Sequence, residues 1–394
     1  MTDKQVVKFG DIAEQVIERV TPQKGDEKSF IGLQHLESES LNINEWGDDV
    51  ELSTQAFKVN KGDIIFARRN TYLKRVAISP INGICSADAM VIRPLGRFIE
   101  PAFLPFFMQT NTFMDRAISI SAGSLSSRVK WKALSEQEFC IPSKKEQQYF
   151  IDVSNRLLSG ELALNSAINS AKKLYNLVAS RQILGGNNYR SFFGKEEQII
   201  PKGWRFVNLG DVLTRVQYGT SKALHDTGEI PVLRMMNIED GRVTNSELRY
   251  SKLSINEFES IKLYKGDILF NRTNSIDLVG KTGIFMLEGD YAFASYMLRL
   301  NVNTDLVTPE FVNSYLNLPL VQYRLKAYAT PGVSQANINP KSLKSLPFLL
   351  PPLDQIKETD ALLRTINGSF HSLTVANAQH KTIQRTLRET ILGS

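Results

Sequence analysis

Cysteine is almost absent from this chain: Cys85 and Cys140 are the only two in 394 residues, and they form no CxxC pair. That supports neither a disulfide framework nor a cysteine-based zinc site. Histidine is scarce as well, and His35, His225, His371 and His380 lack metal-site spacing. No apolar run reaches the roughly 18 residues that a membrane span needs. The opening Met1-Thr2-Asp3-Lys4 lacks the charged-then-apolar pattern of a secretory signal. A cytoplasmic chain with no membrane partner is the expectation. Charge of one sign barely dominates: 47 Lys and Arg stand against 41 Asp and Glu, a net +6. That excess suits plain solubility or a polyanionic partner equally well.

Signatures of catalysis are also missing. Gly280-Lys281-Thr282 resembles the end of a phosphate-binding loop, but that pattern needs a second glycine where Ser275 stands. There is no aromatic-rich methyltransferase tetrapeptide and no nuclease carboxylate–lysine cluster. The sequence points to a chain that is not an enzyme, with no catalytic residue, metal or cofactor of its own.

What is present is a duplication. Lys61-Gly62-Asp63-Ile64-Ile65-Phe66-Ala67-Arg68-Arg69-Asn70 recurs as Lys265-Gly266-Asp267-Ile268-Leu269-Phe270-Asn271-Arg272-Thr273-Asn274, an offset of 204. From Gln147/Gln355 onward the offset is 208, and nine of 40 ungapped positions are identical. Ordinary composition would give roughly two or three. So long a period is a duplicated domain-plus-helix unit rather than a solenoid.

Each copy predicts the same order of elements. Short β-type runs (63–67, 75–79 and 89–93; 267–271, 283–287 and 297–302) are punctuated by Gly and Asn. A helical segment follows near 102–118 and 310–328, then an extended stretch ending in proline, then a long helix. Ser143-Lys144-Lys145-Glu146 forms a capping box, and Gly185-Gly186 stops the first long helix. Pro352 and Asp354 open the second. Narrow apolar stripes predict that the helices pair with each other, antiparallel, through Leu157, Gly160, Leu164 and Leu174 on one side. Ile366, Gly368, Phe370 and Leu373 are their counterparts, with Ile383 further along. Gly160 and Gly368 hold equivalent positions, consistent with tolerated drift or with close helix approach in both copies.

The expected architecture is α+β: two tandem mixed α/β domains, 1–143 and 189–351, separated by long antiparallel coiled-coil helices, 144–188 and 352–394, in a pseudo-two-fold repeat. Each domain closes on a proline-to-glutamine signature, Pro142-Ser143-Lys144-Lys145-Glu146-Gln147 and Pro351-Pro352-Leu353-Asp354-Gln355. Together with the Gly-Asp-Ile-Ile/Leu-Phe strand and Tyr218-Gly219-Thr220-Ser221-Lys222, this order resembles type I restriction–modification specificity subunits. The resemblance implies two target recognition domains, each reading half of a split double-stranded DNA target, with helices that set the gap. It implies partners too: two methyltransferase subunits docked on the chain, and restriction motor–nuclease subunits. S-adenosylmethionine, ATP and Mg would then belong to those partners.

DNA readers need cations for phosphate and amide or guanidinium groups for base edges. The loop after the shared strand offers both, as Arg68, Arg69, Asn70, Tyr72, Lys74 and Arg75 in the first copy. In the second copy it offers Asn271, Arg272, Thr273, Asn274 and Lys281. A second loop supplies Ser124, Ser126, Ser127, Arg128 and Lys130, answered by Ser334, Gln335 and Asn337. Tyr218, Thr220, Ser221 and Lys222 complete the candidates. Solvated basic turns are the bland alternative. Two rival readings remain: a recognition subunit of another methyltransferase or phage-defence assembly, and a coiled-coil scaffold that binds proteins at both ends.

Overall fold

A computed structural model describes residues 5–47, 55–121, 128–331 and 335–392. The chain forms two compact units, one combining the chain up to Asn165 with the segment from Val375 onward, the other Ser166–Thr374.

The shared strand is the centre of each unit. In the first, an antiparallel sheet runs in the order Ala13–Val16, Ala89–Pro94, Ile64–Ala67, Val76–Ile78. All four residues of Ile64–Ala67 are buried, which explains why the strand lacks polar alternation. Ile64 and Phe66 face a core with Phe9, Phe103, Phe107, Phe113 and Phe139. Ile65 and Ala67 face a smaller core with Ile31, Val59, Cys85 and Val91. A second sheet, Arg19–Val20, Ala56–Val59, Gly83–Ser86 and Phe30–Ile31, ends in a parallel pair.

The second unit repeats the first sheet as Leu213–Tyr218, Met297–Val302, Ile268–Asn271 and Thr282–Ile284, and extends it with Arg242–Val243 and Ile238–Glu239. Each unit is closed by one antiparallel pair, Gln5–Lys8 with Glu138–Ile141 and Arg205–Asn208 with Pro347–Leu350. The predicted helical segments divide into Leu104–Met108 and Asn111–Ser119, and into Pro309–Leu316 and Pro319–Tyr328.

The Lys-Gly-Asp motif is a turn. Gly62 and Gly266 have φ of 94° and 93°, a region open to glycine. The aspartate that follows bonds back to the backbone, Asp63 to Asn60 N at 2.9 Å and Asp267 to Tyr264 N at 3.0 Å. Asp63 also holds Arg93 through two bonds of 2.6 and 2.8 Å. In the other unit Asn301 and Arg299 share that task on Asp267. The motif recurs because it launches the central strand.

The central helix is Lys144–Ile183 and the terminal helix Leu353–Leu392, 40 residues each and so about 60 Å long. Glu146 Oε2 accepts from Ser143 N at 2.9 Å, and Ser143 Oγ accepts from Glu146 N at 3.4 Å. In the first unit Gln384 donates to Glu161 at 3.2 Å and Asn377 to Asn165 at 2.9 Å, so the helices pack antiparallel.

The seam differs in part from the expected stripe. Leu157, Leu164, Ile366, Phe370 and Leu373 are partly covered. Leu174 is half exposed; the stripe keeps Val178, as its spacing predicts, and passes through Tyr175 and the buried Ala179 beside it. Ile383 is half exposed too, beside the better covered His380, Gln384 and Leu387. A helix of 3.6 residues per turn drifts off a strict heptad, and these residues lie where the drift has accumulated. The two equivalent glycines also part company. A β-carbon on Gly160 would stand 2.8 Å from His380 Nε2, whereas one on Gly368 would meet open space. Close approach therefore explains Gly160 and does not explain Gly368.

Candidate nucleic-acid interface

The two loops singled out in each copy are distant in sequence and meet in space. In the first unit Val129 N donates to the Arg68 carbonyl at 2.9 Å, and Arg69 bridges Arg128. In the second unit Ile338 N donates to the Arg272 carbonyl at 2.9 Å. There the bridge widens into a small sheet, Thr273–Asn274 against Ala336–Asn337, with Thr330–Pro331 alongside. Asn337 also donates its amide to Thr273 Oγ1 at 3.1 Å. The other side of the arginine is fixed in the same way twice: Arg68 N donates to Asp88 O and Arg272 N to Tyr296 O, both at 3.1 Å. Arg68 and Arg272 are thus clamped at backbone level in matching settings.

The side chains give each patch its own chemistry. In the first, Arg69 and Arg128 share Asp88, at 3.0 and 2.7 Å, and both guanidiniums remain well exposed. Lys130 and Tyr72 are exposed, and Asn70 is half-buried in a left-handed conformation with φ of 54°. Lys74 and Arg75 point away from the paired loops. Lys74 Nζ lies 2.7 Å from Asn111 Oδ1 and 3.1 Å from Asp115, and Arg75 donates to the Leu33 carbonyl at 2.9 Å. Both hold the loop to its own domain.

In the second patch, the Arg272 guanidinium lies over the Tyr218 ring, 5.0 Å from its centroid, a cation–π contact that orients the cation. Thr273, Asn274, Lys281 and Asn337 are half-buried, and Gln335 is exposed. The Tyr218–Lys222 segment is held by its own bonds: Thr220 N donates to Phe293 O at 2.8 Å and Lys222 N to Thr220 Oγ1 at 3.1 Å. Ser221 is exposed. Lys222 Nζ pairs with Glu257 at 2.8 Å. That bond, with those from Ser254, holds the Glu257 carboxyl down to about 2. Ser124, Ser126, Ser127 and Ser334 lie outside the described residues.

Asn271 corrects an expectation. It is fully buried, so its amide does not reach the surface. It ends the central strand, whose two faces are both covered, and Ala67 is buried at the equivalent place. Among the described residues, neither the Asn271 Nδ2 nor its Oδ1 has a hydrogen-bond partner.

Three features of the second unit carry no obvious sequence signal. Arg324 lies between Phe193 and Tyr328, with its guanidinium 5.7 and 5.2 Å from the ring centroids. A cavity of about 580 Å³ opens between the Pro309–Leu316 helix, the Asp240–Val243 turn and the helix pair. Asp360 lines it, buried; it accepts from Thr308 Oγ1, and its Oδ1 has no partner among the described residues. Burial pushes its carboxyl up to about 6. The identical position of the first copy, Asp152, is exposed and accepts from Gln148, which is why the repeat gives no warning.

The chain is similar to known proteins in sequence and in fold. The family model described as the type I restriction modification DNA specificity domain matches twice, over residues 1–171 and 201–367. The StySPI specificity subunit of Salmonella potsdam is 26% identical over 331 residues, 81% of this chain and 70% of its own. The EcoKI specificity subunit of Escherichia coli K12 is 24% identical over the same lengths. Among solved structures, a chain from a type I restriction–modification system superposes with a TM-score of 0.60 at 19% identity, covering 99% of this chain and 96% of the other. The specificity subunit of M. genitalium superposes with a TM-score of 0.56 at 11% identity, with the same coverage.

Proposed function

The chain belongs to the type I restriction–modification DNA specificity family, and from that premise we propose how its parts divide the work. Each recognition domain reads one half of a split duplex target through its pair of joined loops. The central and terminal helices hold the two readers at a fixed separation, as half-site spacing does in dimeric DNA binders. Two methyltransferase subunits dock on the chain, and restriction subunits join them. Methylation and cleavage take place in those partners, which hold S-adenosylmethionine, ATP and Mg. The complex works in the cytoplasm; among the described residues no helix is long and apolar enough to cross a membrane.

One observation carries the reading. Two loops that are remote in sequence, each rich in groups suited to phosphate and base edges, are tied together by equivalent backbone bonds in both units. A protein-binding scaffold has no need of the same joined pair of loops, with an arginine at the junction, twice. Salt-dependent, sequence-selective binding by the complex with its methyltransferase tests it. Binding with no sequence preference would overturn it.

A further inference from the structure

The tip of the first loop in each patch carries a large apolar side chain turned to solvent, at corresponding places in the repeat. Tyr72 is 62% exposed, and Ile276, 204 residues later, is 48% exposed. Leu278 beside it is also 48% exposed. Counted from the central strand Tyr72 answers to Ile276; counted back from Arg75 and Lys281, whose carbonyls accept from Ala67 N and Asn271 N, it answers to Leu278, because the second loop is two residues longer. Isolated exposed apolar residues are ordinary on protein surfaces. Apolar side chains exposed at corresponding places on two separately held tips require a reason.

Both tips are held rather than loose. In the first unit Thr71 is buried and its hydroxyl bonds the Arg68 carbonyl at 3.2 Å. Leu73 N and Lys74 N close the turn onto Asn70 O and Thr71 O, each at 2.9 Å. In the second unit Val279 is buried and its N–H bonds Ser275 O at 2.9 Å. Each tip is also tied by an ion pair to the equivalent helix, with the charges reversed. Lys74 reaches Asp115 on Asn111–Ser119 at 3.1 Å, and Asp277 reaches Lys326 on Pro319–Tyr328 at 3.3 Å. The sequence has changed at nearly every tip position, while a fixed turn with an outward apolar residue is present in both.

We propose that Tyr72 in one half, and Ile276 with Leu278 in the other, enter the base stack of the duplex and prise apart one base step in each half-site. This rests on the reading of the chain as a DNA-specificity subunit. An apolar wedge gains by leaving water and the duplex loses stacking at the entered step, so sequences that unstack easily are favoured at a position no hydrogen bond reads. A rigid tip suits this, because the wedge pays little ordering entropy when it enters. The neighbouring arginines and asparagines fix where along the duplex it lands.

The test uses the complex with its methyltransferase and a duplex carrying the split site mapped by methylation sequencing. 2-Aminopurine is placed in turn at each position except the methylated adenines, since base flipping would brighten those. Fluorescence should rise on binding at one step in each half. Tyr72→Ala should abolish the rise in one half only, and Ile276→Ala with Leu278→Ala in the other only. Each variant should bind about tenfold more weakly, and a mismatch at the entered step, where stacking is already broken, should restore much of that loss. Tyr72→Trp should retain the wild-type signal. Thermal unfolding should be unchanged, because these side chains are exposed. Sequence-selective binding with no fluorescence change, or with variants as tight as wild type, would overturn the wedge and leave the DNA reading intact. Loss of methyltransferase assembly in the variants would assign the tips to a protein interface and also overturn it. Absence of sequence preference in the wild-type complex would remove the reading and the wedge together.

Discussion

Arg68 and Val129 are joined by a 2.9 Å backbone hydrogen bond, and Arg272 and Ile338 repeat it at the same distance in the second unit. In each case the bond ties the loop after the central strand to a loop that returns from the helical layer. The arginine sits at the junction, its own N–H bonded at 3.1 Å to a third segment. A side chain that must read a base at fixed register needs this kind of backbone anchorage.

Arg272→Ala should weaken specific binding by about 1–3 kcal/mol and relax the target in one half only. Tyr218 orients the guanidinium, so Tyr218→Leu should give a smaller loss in the same half. Selection from randomised duplexes checks this, and relaxation in both halves would contradict it.

Asp88→Asn should have the opposite effect on unspecific DNA. The carboxylate neutralises both Arg69 and Arg128, and exposed pairs of this kind contribute little to stability. With the carboxylate gone, affinity for random duplex should rise at low salt, and the logarithmic salt slope should steepen by about one for each guanidinium released. An unchanged slope would place these arginines away from the DNA.

Much of this was legible in the sequence, and the limits have physical causes. The central strands, the closing prolines and the long helices follow from local signals: the Gly-Asp turn, the Ser143–Glu146 cap and the apolar stripes. The two loops could be named but not joined, because one or two bridging residues far apart in sequence leave no periodic trace. Asn271 looked like a base reader and is buried, since its strand is covered on both faces. Leu174 and Gly368 looked like seam residues by heptad counting and by equivalence to the first copy. Helical drift and the absence of a close neighbour at Gly368 set them apart.

Asp360 makes the second unit pH-sensitive. Its carboxyl titrates in the folded chain near 6, raised by burial and by the nearby charge of Glu310, above the ordinary value of 3.8. A raised value means that the folded state is favoured while the group is protonated. The contribution is fully present below the ordinary value and is lost as pH rises through about 6. Asp360→Asn, which can still accept from Thr308, should remove that loss. Relative to wild type it should gain on the order of 2 kcal/mol between pH 4 and 7. Tm measured against pH for both proteins checks this, and parallel curves would contradict it.

Seven residues added to the central helix and seven to the terminal helix, at facing positions, lengthen the pair by about 10 Å. The gap between half-sites should grow by about three base pairs, with both half-sites unchanged. Altered half-sites with the old gap would refute the spacer role. Enzymatic methylation patterns read from cells carrying the extended chain supply the measurement.

Methylation-aware sequencing of the native host genome, with and without this chain, tests the central claim most directly. Two short constant blocks separated by a fixed stretch of unspecified bases should be methylated, and the marks should vanish when the chain is deleted. A continuous motif, or marks that survive its loss, would contradict the division of one target between two joined-loop readers.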